Sequence, residues 1–168
     1  VQHAGLELLV NEHRWVGIGG EHICIGGLQW SYHDRSPDPG LGDHREYAAR
    51  TFDPGDVHHF KIALAHHPHA FDALAEKGVN LTLSGHTHGG QVCLPGIGAI
   101  FSPCLQGVRY IRGTYAAPPT VMHVSQGISA ELPFRFRCMP EAALLTLHAA
   151  GGTASSGPDR VGQTVCCK

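Results

Sequence analysis

The length and composition of this chain indicate a single globular domain. It has 168 residues, of which 42% are hydrophobic and 15% are charged, and this balance suffices to bury a core. The formal net charge is -2, so no basic surplus points to nucleic acid or to an anionic membrane as a partner. No apolar run reaches the ~18 residues that a membrane-spanning helix needs. The six cysteines form no CxxC pair, so no thiolate zinc site or redox motif is predicted.

The N-terminal part of the chain begins with a predicted β-hairpin. Its strands cover residues 14–18 and 21–28, and two glycines between them supply the positive φ of a tight turn. Residues 31–44 are rich in Ser, Pro, Asp and Gly, which is typical of a loop. A short helix is predicted at residues 46–52.

The middle of the chain has the pattern of a strand–helix–strand unit. Residues 60–65 and 79–83 are compact apolar runs, typical of strands buried on both faces. Between them, residues 68–77 show helical spacing, with Pro68 at a first helical position and Gly78 just past the end. This unit favours an α/β fold with a mixed or parallel sheet. Further β segments are predicted near residues 108–115, 120–125 and 143–148.

Both strands of this unit run into histidines. The first is followed by His66 and His67, and the second leads to His86 and His88. Because the carboxyl ends of neighbouring parallel strands meet at one edge of a sheet, His66, His86 and His88 are expected together there. Imidazoles mixed with oxygen donors suit Zn, Fe, Ni and Mn. These three residues are therefore candidate metal ligands, whereas His67 and His69 are interpreted as solvent-facing or as supporting a ligand.

The same histidines also have a structural interpretation. His86 and His88 are compatible with ordinary loop residues, and His66 with a buried, hydrogen-bonded core histidine. In an extended chain, the spacing of His86 and His88 points both side chains the same way. In a turn, the pair can splay and serve two metals.

A longer pattern surrounds these positions. It comprises residues 62–66, Pro68, Phe71-Asp72 and residues 78–91, which contain Gly-His-Thr-His-Gly-Gly-Gln. These residues resemble the calcineurin-like metallophosphoesterases, and the similarity covers roughly residues 5–148. The chain is most similar to a bacterial branch with membrane-associated and exported members, so such a location is implied, with the cytoplasm as an alternative. Downstream, the resemblance continues in residues 94–98, Pro103, 110–115 and 140–147.

The resemblance implies a fold and a chemistry. The fold would be α/β: residues 1–148 form the C-terminal part of a β-sandwich flanked by helices, and residues 149–168 form a disordered tail. Two divalent metal ions (Mn, Fe or Zn) would be bridged by a carboxylate and a hydroxide. His66 and His86 would bind the second metal and His88 the first. The implied activity is hydrolysis of a phosphate mono- or diester by the activated hydroxide, and metal affinity should fall as pH drops because the imidazoles must be neutral.

Three other motifs of that family are not found in their expected places. They are Asp-x-His, Gly-Asp-x-x-Asp and Gly-Asn-His-Asp/Glu. Residues 56–58 (Asp-Val-His) spell the first and residues 42–44 (Gly-Asp-His) approximate the third, but they come in reversed order and not at the end of a strand. We therefore expect the N-terminal half of the domain to be absent and the isolated chain to be inactive, and we assign no catalytic residue. His67 stands where the family usually has Asn, and Gln126 where Arg is expected.

Two functions remain open on these grounds. One is a phosphoesterase that acts on a phosphate-ester substrate, and the other is a non-catalytic, degenerate metal-binding or interaction module. Hydrolysis by a serine or cysteine nucleophile lacks support, because the chain has no G-x-S-x-G motif. Half a sandwich would leave one sheet face and its strand edges uncovered, which predicts aggregation or pairing with another chain.

Overall fold

The computed structural model describes residues 4–29, 41–52, 56, 58–101, 109–148 and 164–165. They form a mixed α/β architecture with a six-stranded sheet, two helices and two small two-stranded sheets. Neither helix is long and apolar enough to span a bilayer. In chain order the elements are β1 (Glu12–Ile18), β2 (Glu21–Gly27), α1 (Leu41–Thr51), β3 (Phe60–Ala65), α2 (Phe71–Glu76), β4 (Leu81–Ser84), β5 (Val92–Leu94), β6 (Gly98–Phe101), β7 (Gly113–Ala117), β8 (Thr120–Val124), β9 (Ala143–Leu144) and β10 (Thr164–Val165).

The main sheet is mixed, with parallel strands at its centre. Its order is β1-β2-β3-β4-β8-β7. Strands β2, β3, β4 and β8 are parallel to one another, whereas the edge strands β1 and β7 are antiparallel to β2 and β8. The predicted hairpin is confirmed as β1 and β2, and the predicted strand–helix–strand unit as β3, α2 and β4. The α/β prediction is therefore confirmed at the level of fold class.

The two helices cover one face of this sheet. Strand β3 alternates, so that Ala63 and Ala65 are buried on the helix side. They pack in one cluster with Phe52, next to the C-terminus of α1, and Leu74 of α2. A second cluster continues this core with Phe71, Tyr110, Met122 and Val124.

The opposite face of the sheet is more open. Phe60 and Leu64 point there from β3, and their exposed fractions are 39% and 44%. Val16 and Ile18 of β1 are also exposed. In the described residues no second large sheet covers this face, and the sandwich that the resemblance implies stays a prediction.

Helix α1 corrects the predictions for the N-terminal part. It begins at Leu41, so the predicted loop is wrong for residues 41–44, and residues 30–40 lie outside the described part. Gly42 and Asp43 have low helix propensity, which hid the start of the helix. Burial of His44 and Ala48 on the core side of the helix compensates for that propensity.

The C-terminal predictions are met in part. Strand β8 matches the prediction at residues 120–125, whereas β7 begins at Gly113, later than predicted, and β9 contains two residues only. The hairpin of β5 and β6 was not predicted, because its strands have three and four residues. The predicted tail lies outside the described residues apart from Thr164–Val165, which pair with β9.

Candidate metal centre

Strands β3 and β4 deliver two histidines to the same edge of the sheet. The strands are parallel neighbours, and Ala65 pairs with Ser84 at their carboxyl ends. His66 follows β3 directly and His86 comes two residues after β4. The amide of Gly85 donates to the carbonyl of His66 over 3.3 Å, which ties the two loops together. As a result, the centroids of the His66 and His86 rings lie 4.5 Å apart.

The turn that carries His86 has an unusual backbone. His86, His88 and Gln91 have φ values of 69°, 50° and 29°, in the left-handed region that residues other than glycine rarely adopt. Thr87 between the histidines is buried, and its hydroxyl donates to the carbonyl of Ile111 over 2.6 Å. Each left-handed residue costs on the order of 1–3 kcal/mol and persists only when its surroundings hold it. Clustered strain of this kind marks the turn as a candidate functional segment.

A third imidazole joins the pair, and it was not predicted. The ring of His67 lies 4.1 Å from that of His86 and 5.1 Å from that of His66, between centroids. One ligand nitrogen from each of these three residues lies within 4.8 Å of the others. His67 is 2% exposed, so its interpretation as solvent-facing is wrong.

The surroundings of His67 favour the neutral ring. Burial, followed by the neighbouring His86 and His66, lowers the pKa of His67 from 6.5 to about 3. A neutral imidazole is the form that binds a metal ion. Near neutral pH, His67 is therefore available as a ligand without losing a proton.

His88 lies in the same turn but outside this group of three. Its Nδ1 is 3.4 Å from Oε1 of Gln91. Its carbonyl accepts from Arg135 over 3.2 Å and from the thiol of Cys138 over 3.1 Å. The assignment of His88 as a metal ligand stays a prediction.

The donor set fits one metal ion of the transition series. Bonds of about 2.0–2.1 Å to imidazole nitrogens require tetrahedral ligands about 3.4 Å apart, and the three ligand nitrogens lie within 4.8 Å of one another. In the described part of the chain, no carboxylate belongs to the group. A second ion bridged by a carboxylate therefore does not fit these residues alone.

The two rejected motifs lie in different places. Asp56 and His58 precede β3, and the six residues of that strand, about 20 Å at the rise of an extended chain, separate them from His66. Asp56 pairs instead with His59, with 2.8 Å between Oδ1 and Nδ1. His44 is buried on α1 and is one of the neighbours that lower the pKa of His67. It lies beside the cluster without belonging to it.

A cavity of about 510 Å³ adjoins the cluster. His66 and Gly85 line it at the strand ends, Leu64 and Leu83 on the open face of the sheet, and His123 on β8. This arrangement gives His66 access to a space that is largely apolar, with polar groups from the strand ends.

A buried polar pair below this cavity was missed in the sequence. Nε2 of His123 lies 3.3 Å from Oε1 of Glu141, and Glu141 also accepts from the amide of Gln126. The only signal for it was that Gln126 stands where Arg was expected and that Glu141 falls in a stretch that matches the family. Nothing in the sequence spacing connects Glu141 with His123.

Comparison with curated proteins gives three relatives. The chain is 43% identical over 89 residues to "Uncharacterized metallophosphoesterase YkuE" of Bacillus subtilis (strain 168), covering 52% of this chain and 31% of the relative. It is 32% identical over 87 residues to "Phosphodiesterase YaeI" of Escherichia coli (strain K12), covering 52% and 32%. It is 31% identical over 137 residues to "Putative metallophosphoesterase F40B5.2" of Caenorhabditis elegans, covering 77% and 27%.

These relatives support the calcineurin-like metallophosphoesterase family. The chain spans about a third of the length of the relatives that it matches. No family model and no solved structure matches it. The names of these relatives agree with the histidine cluster, which is a donor set for a divalent metal.

Proposed function

We propose that this chain carries part of the metal centre of a phosphoesterase that hydrolyses phosphate mono- or diesters. The observation that carries the proposal is the convergence of His66 and His86 at the carboxyl ends of β3 and β4. Relatives named metallophosphoesterase and phosphodiesterase support the same chemistry. A phosphate ester is accordingly the substrate class, and a divalent ion of the Mn, Fe or Zn type is the cofactor.

Some residues of this chain bind the metal ions, and others position those ligands. His66 and His86 hold one ion, and the left-handed turn at residues 86–91 fixes the direction of the second imidazole. His88 is assigned to the other ion of a two-metal centre. An ion held there lowers the pKa of a bound water and polarises a phosphoryl oxygen.

The centre needs donors beyond the described residues. Three imidazoles supply no bridging carboxylate, and two ions close together need negatively charged ligands to offset their repulsion. We propose that these carboxylates come from the rest of a two-layer domain that packs on the open face of the sheet. This chain alone is then inactive.

Phosphodiester hydrolysis tests the proposal. The 168-residue chain and a longer form that includes the proposed remainder of the domain are assayed with a chromogenic phosphodiester and Mn²⁺. The longer form should turn over substrate, and His86→Ala should lower its kcat/KM by at least ~100-fold, as expected for loss of a metal ligand. His22→Ala, on the exposed start of β2, is the matched control and should leave turnover unchanged.

Two results would count against the proposal. Undiminished turnover in the His86→Ala form would show that His86 is not a ligand of the catalytic metal. Metal-dependent hydrolysis by the 168 residues alone would show that the centre needs no further carboxylates.

A further inference from the structure

We propose that His67 is the third protein ligand of a single transition-metal ion held by His66 and His86. The inference rests on the proposed function for the position of that ion at the ends of β3 and β4. It goes further by naming a ligand that the family pattern, with Asn at this position, does not supply. It also predicts that the 168-residue chain binds one ion without additional donors.

The path of the backbone brings the three rings together. His66 and His67 are consecutive, and His67 is extended, with φ -92° and ψ 131°, so their side chains leave opposite sides of the chain. His86 is left-handed, with φ 69°, and its ring approaches both. The centroid distances are 4.5 Å to His66 and 4.1 Å to His67.

The donor set selects the class of metal. The three ligand nitrogens lie within 4.8 Å of one another, so closing to about 3.4 Å around an ion moves each ring by on the order of 1 Å. Three neutral imidazoles suit Zn²⁺ and Co²⁺ and leave a fourth position for water. Hard ions such as Mg²⁺ and Ca²⁺ prefer oxygen ligands, which this group lacks. The exposed ring of His66, which also lines the adjoining cavity, gives the ion a path of entry.

Two neighbouring histidines lie close to the group of three but outside it. His88 lies in the turn after His86, but its Nδ1 is 3.4 Å from the amide oxygen of Gln91. His69 is two residues from His67, and the two ring centroids are 6.3 Å apart. Neither residue belongs to the group of three.

Cobalt binding tests the assignment directly. The purified 168-residue chain is titrated with Co²⁺, and the visible ligand-field bands are recorded. We expect one Co²⁺ per chain, with affinity at least about tenfold lower and altered bands in His67→Asn. His69→Asn should keep the affinity within about twofold and leave the bands unchanged.

A second measurement covers the case in which the buried substitution disturbs folding. Circular dichroism checks the fold of each variant. The wild-type chain, labelled with ¹⁵N-histidine, is then observed by NMR as Zn²⁺ is added. Ring nitrogens of His66, His67 and His86 should shift, while those of His69 should not.

The inference is overturned by any of three results. They are the absence of stoichiometric binding, a folded His67→Asn chain with wild-type affinity and bands, and His67 ring nitrogens that do not respond to Zn²⁺. The test uses no phosphate ester, so its failure is distinct from that of the proposed function. Cobalt binding through His67, combined with a longer form that hydrolyses nothing, would overturn the proposed function alone.

Discussion

At the scale of single residues, the turn after β4 depends on close contact as well as on backbone conformation. Gly89 has φ 64°. A Cβ at this position would lie 2.6 Å from Sγ of Cys138 and 2.7 Å from Cγ of Gln126. Both side chains pack against the turn, and the thiol of Cys138 donates a hydrogen bond to the carbonyl of His88. Any side chain at residue 89 therefore displaces the two side chains that contact this turn.

Substitution of Gly89 by alanine should destabilise the chain more than a left-handed glycine normally does. The backbone strain costs about 1 kcal/mol, and the overpacking against Cys138 adds about 1–3 kcal/mol. Gly96→Ala is the control, because Gly96 has φ 75° and an added Cβ meets nothing within 4 Å. Urea unfolding of both variants measures the difference. Equal losses of stability would mean that the contact with Cys138 has no energetic weight.

The histidines show which residues of the site were predictable. His66 and His86 could be predicted because each follows an apolar strand, and parallel neighbours end at one edge. His67 was misjudged for a physical reason. Consecutive side chains of an extended chain point in opposite directions, so His67 points away from His66. At a free edge of the sheet that direction faces solvent, but here it faces the core beside His44 of α1. The pairing of His123 with Glu141 joins β8 to a residue outside the strands, and no local pattern encodes such a tertiary contact.

At the scale of elements, the segment before β7 is fastened to α2 by aromatic contacts. The ring of Tyr110 meets that of Phe71 edge-on at 5.6 Å and that of Tyr115 at 4.9 Å. Its hydroxyl donates to Oδ1 of Asp72 over 3.0 Å. The next residue, Ile111, accepts the hydroxyl of Thr87. This segment therefore links α2 to the turn that carries His86.

Ionisation of Tyr110 should lower the free energy of unfolding at alkaline pH. Burial, and then the hydrogen bond to Asp72, raises the pKa of Tyr110 above 10.0. A pKa that is raised in the folded state contributes stability below the unfolded pKa, and this contribution is lost as pH rises through the folded pKa. The free energy of unfolding should therefore decline above about pH 10 by more in the wild type than in Tyr110→Phe. At neutral pH, Tyr110→Phe should cost about 1 kcal/mol.

Denaturant titrations of both proteins at pH 8 and pH 10.5 check this prediction. Tyr47→Phe controls for the loss of a half-buried tyrosine hydroxyl. Parallel declines in the wild type and in Tyr110→Phe would exclude Tyr110 as the source of the pH dependence.

Some element boundaries are determined by the local sequence, and others are determined by tertiary packing. Strands β3 and β4 were predicted because they are mostly apolar, but the expectation that both faces are buried is wrong for β3, since Phe60 and Leu64 are exposed. Helix α1 was placed too late because Gly42 and Asp43 resemble loop residues, and packing against the sheet compensates for them. The short strands β5 and β6 carry too few residues to show alternation.

At the scale of the whole molecule, the two faces of the main sheet differ. One is covered by α1 and α2, and the other exposes Phe60 and Leu64, of which Leu64 lines the cavity beside His66. A face of this kind is the surface on which further structure packs in a layered α/β domain. His66 lines that cavity, so the proposed metal centre adjoins the face on which other residues can pack. We therefore expect the same further residues to cover this face of the sheet and to complete the proposed metal centre.

The central claim is that histidines from the ends of β3 and β4 share a metal ion, and anomalous X-ray scattering tests it most directly. Crystals of the chain grown with Zn²⁺ are measured on both sides of the zinc absorption edge. We predict an anomalous peak about 2.0–2.1 Å from a ring nitrogen of His66 and of His86. Zinc bound only at surface histidines before β3, such as His58 and His59, with the rings of His66 and His86 facing separate environments, would contradict the account.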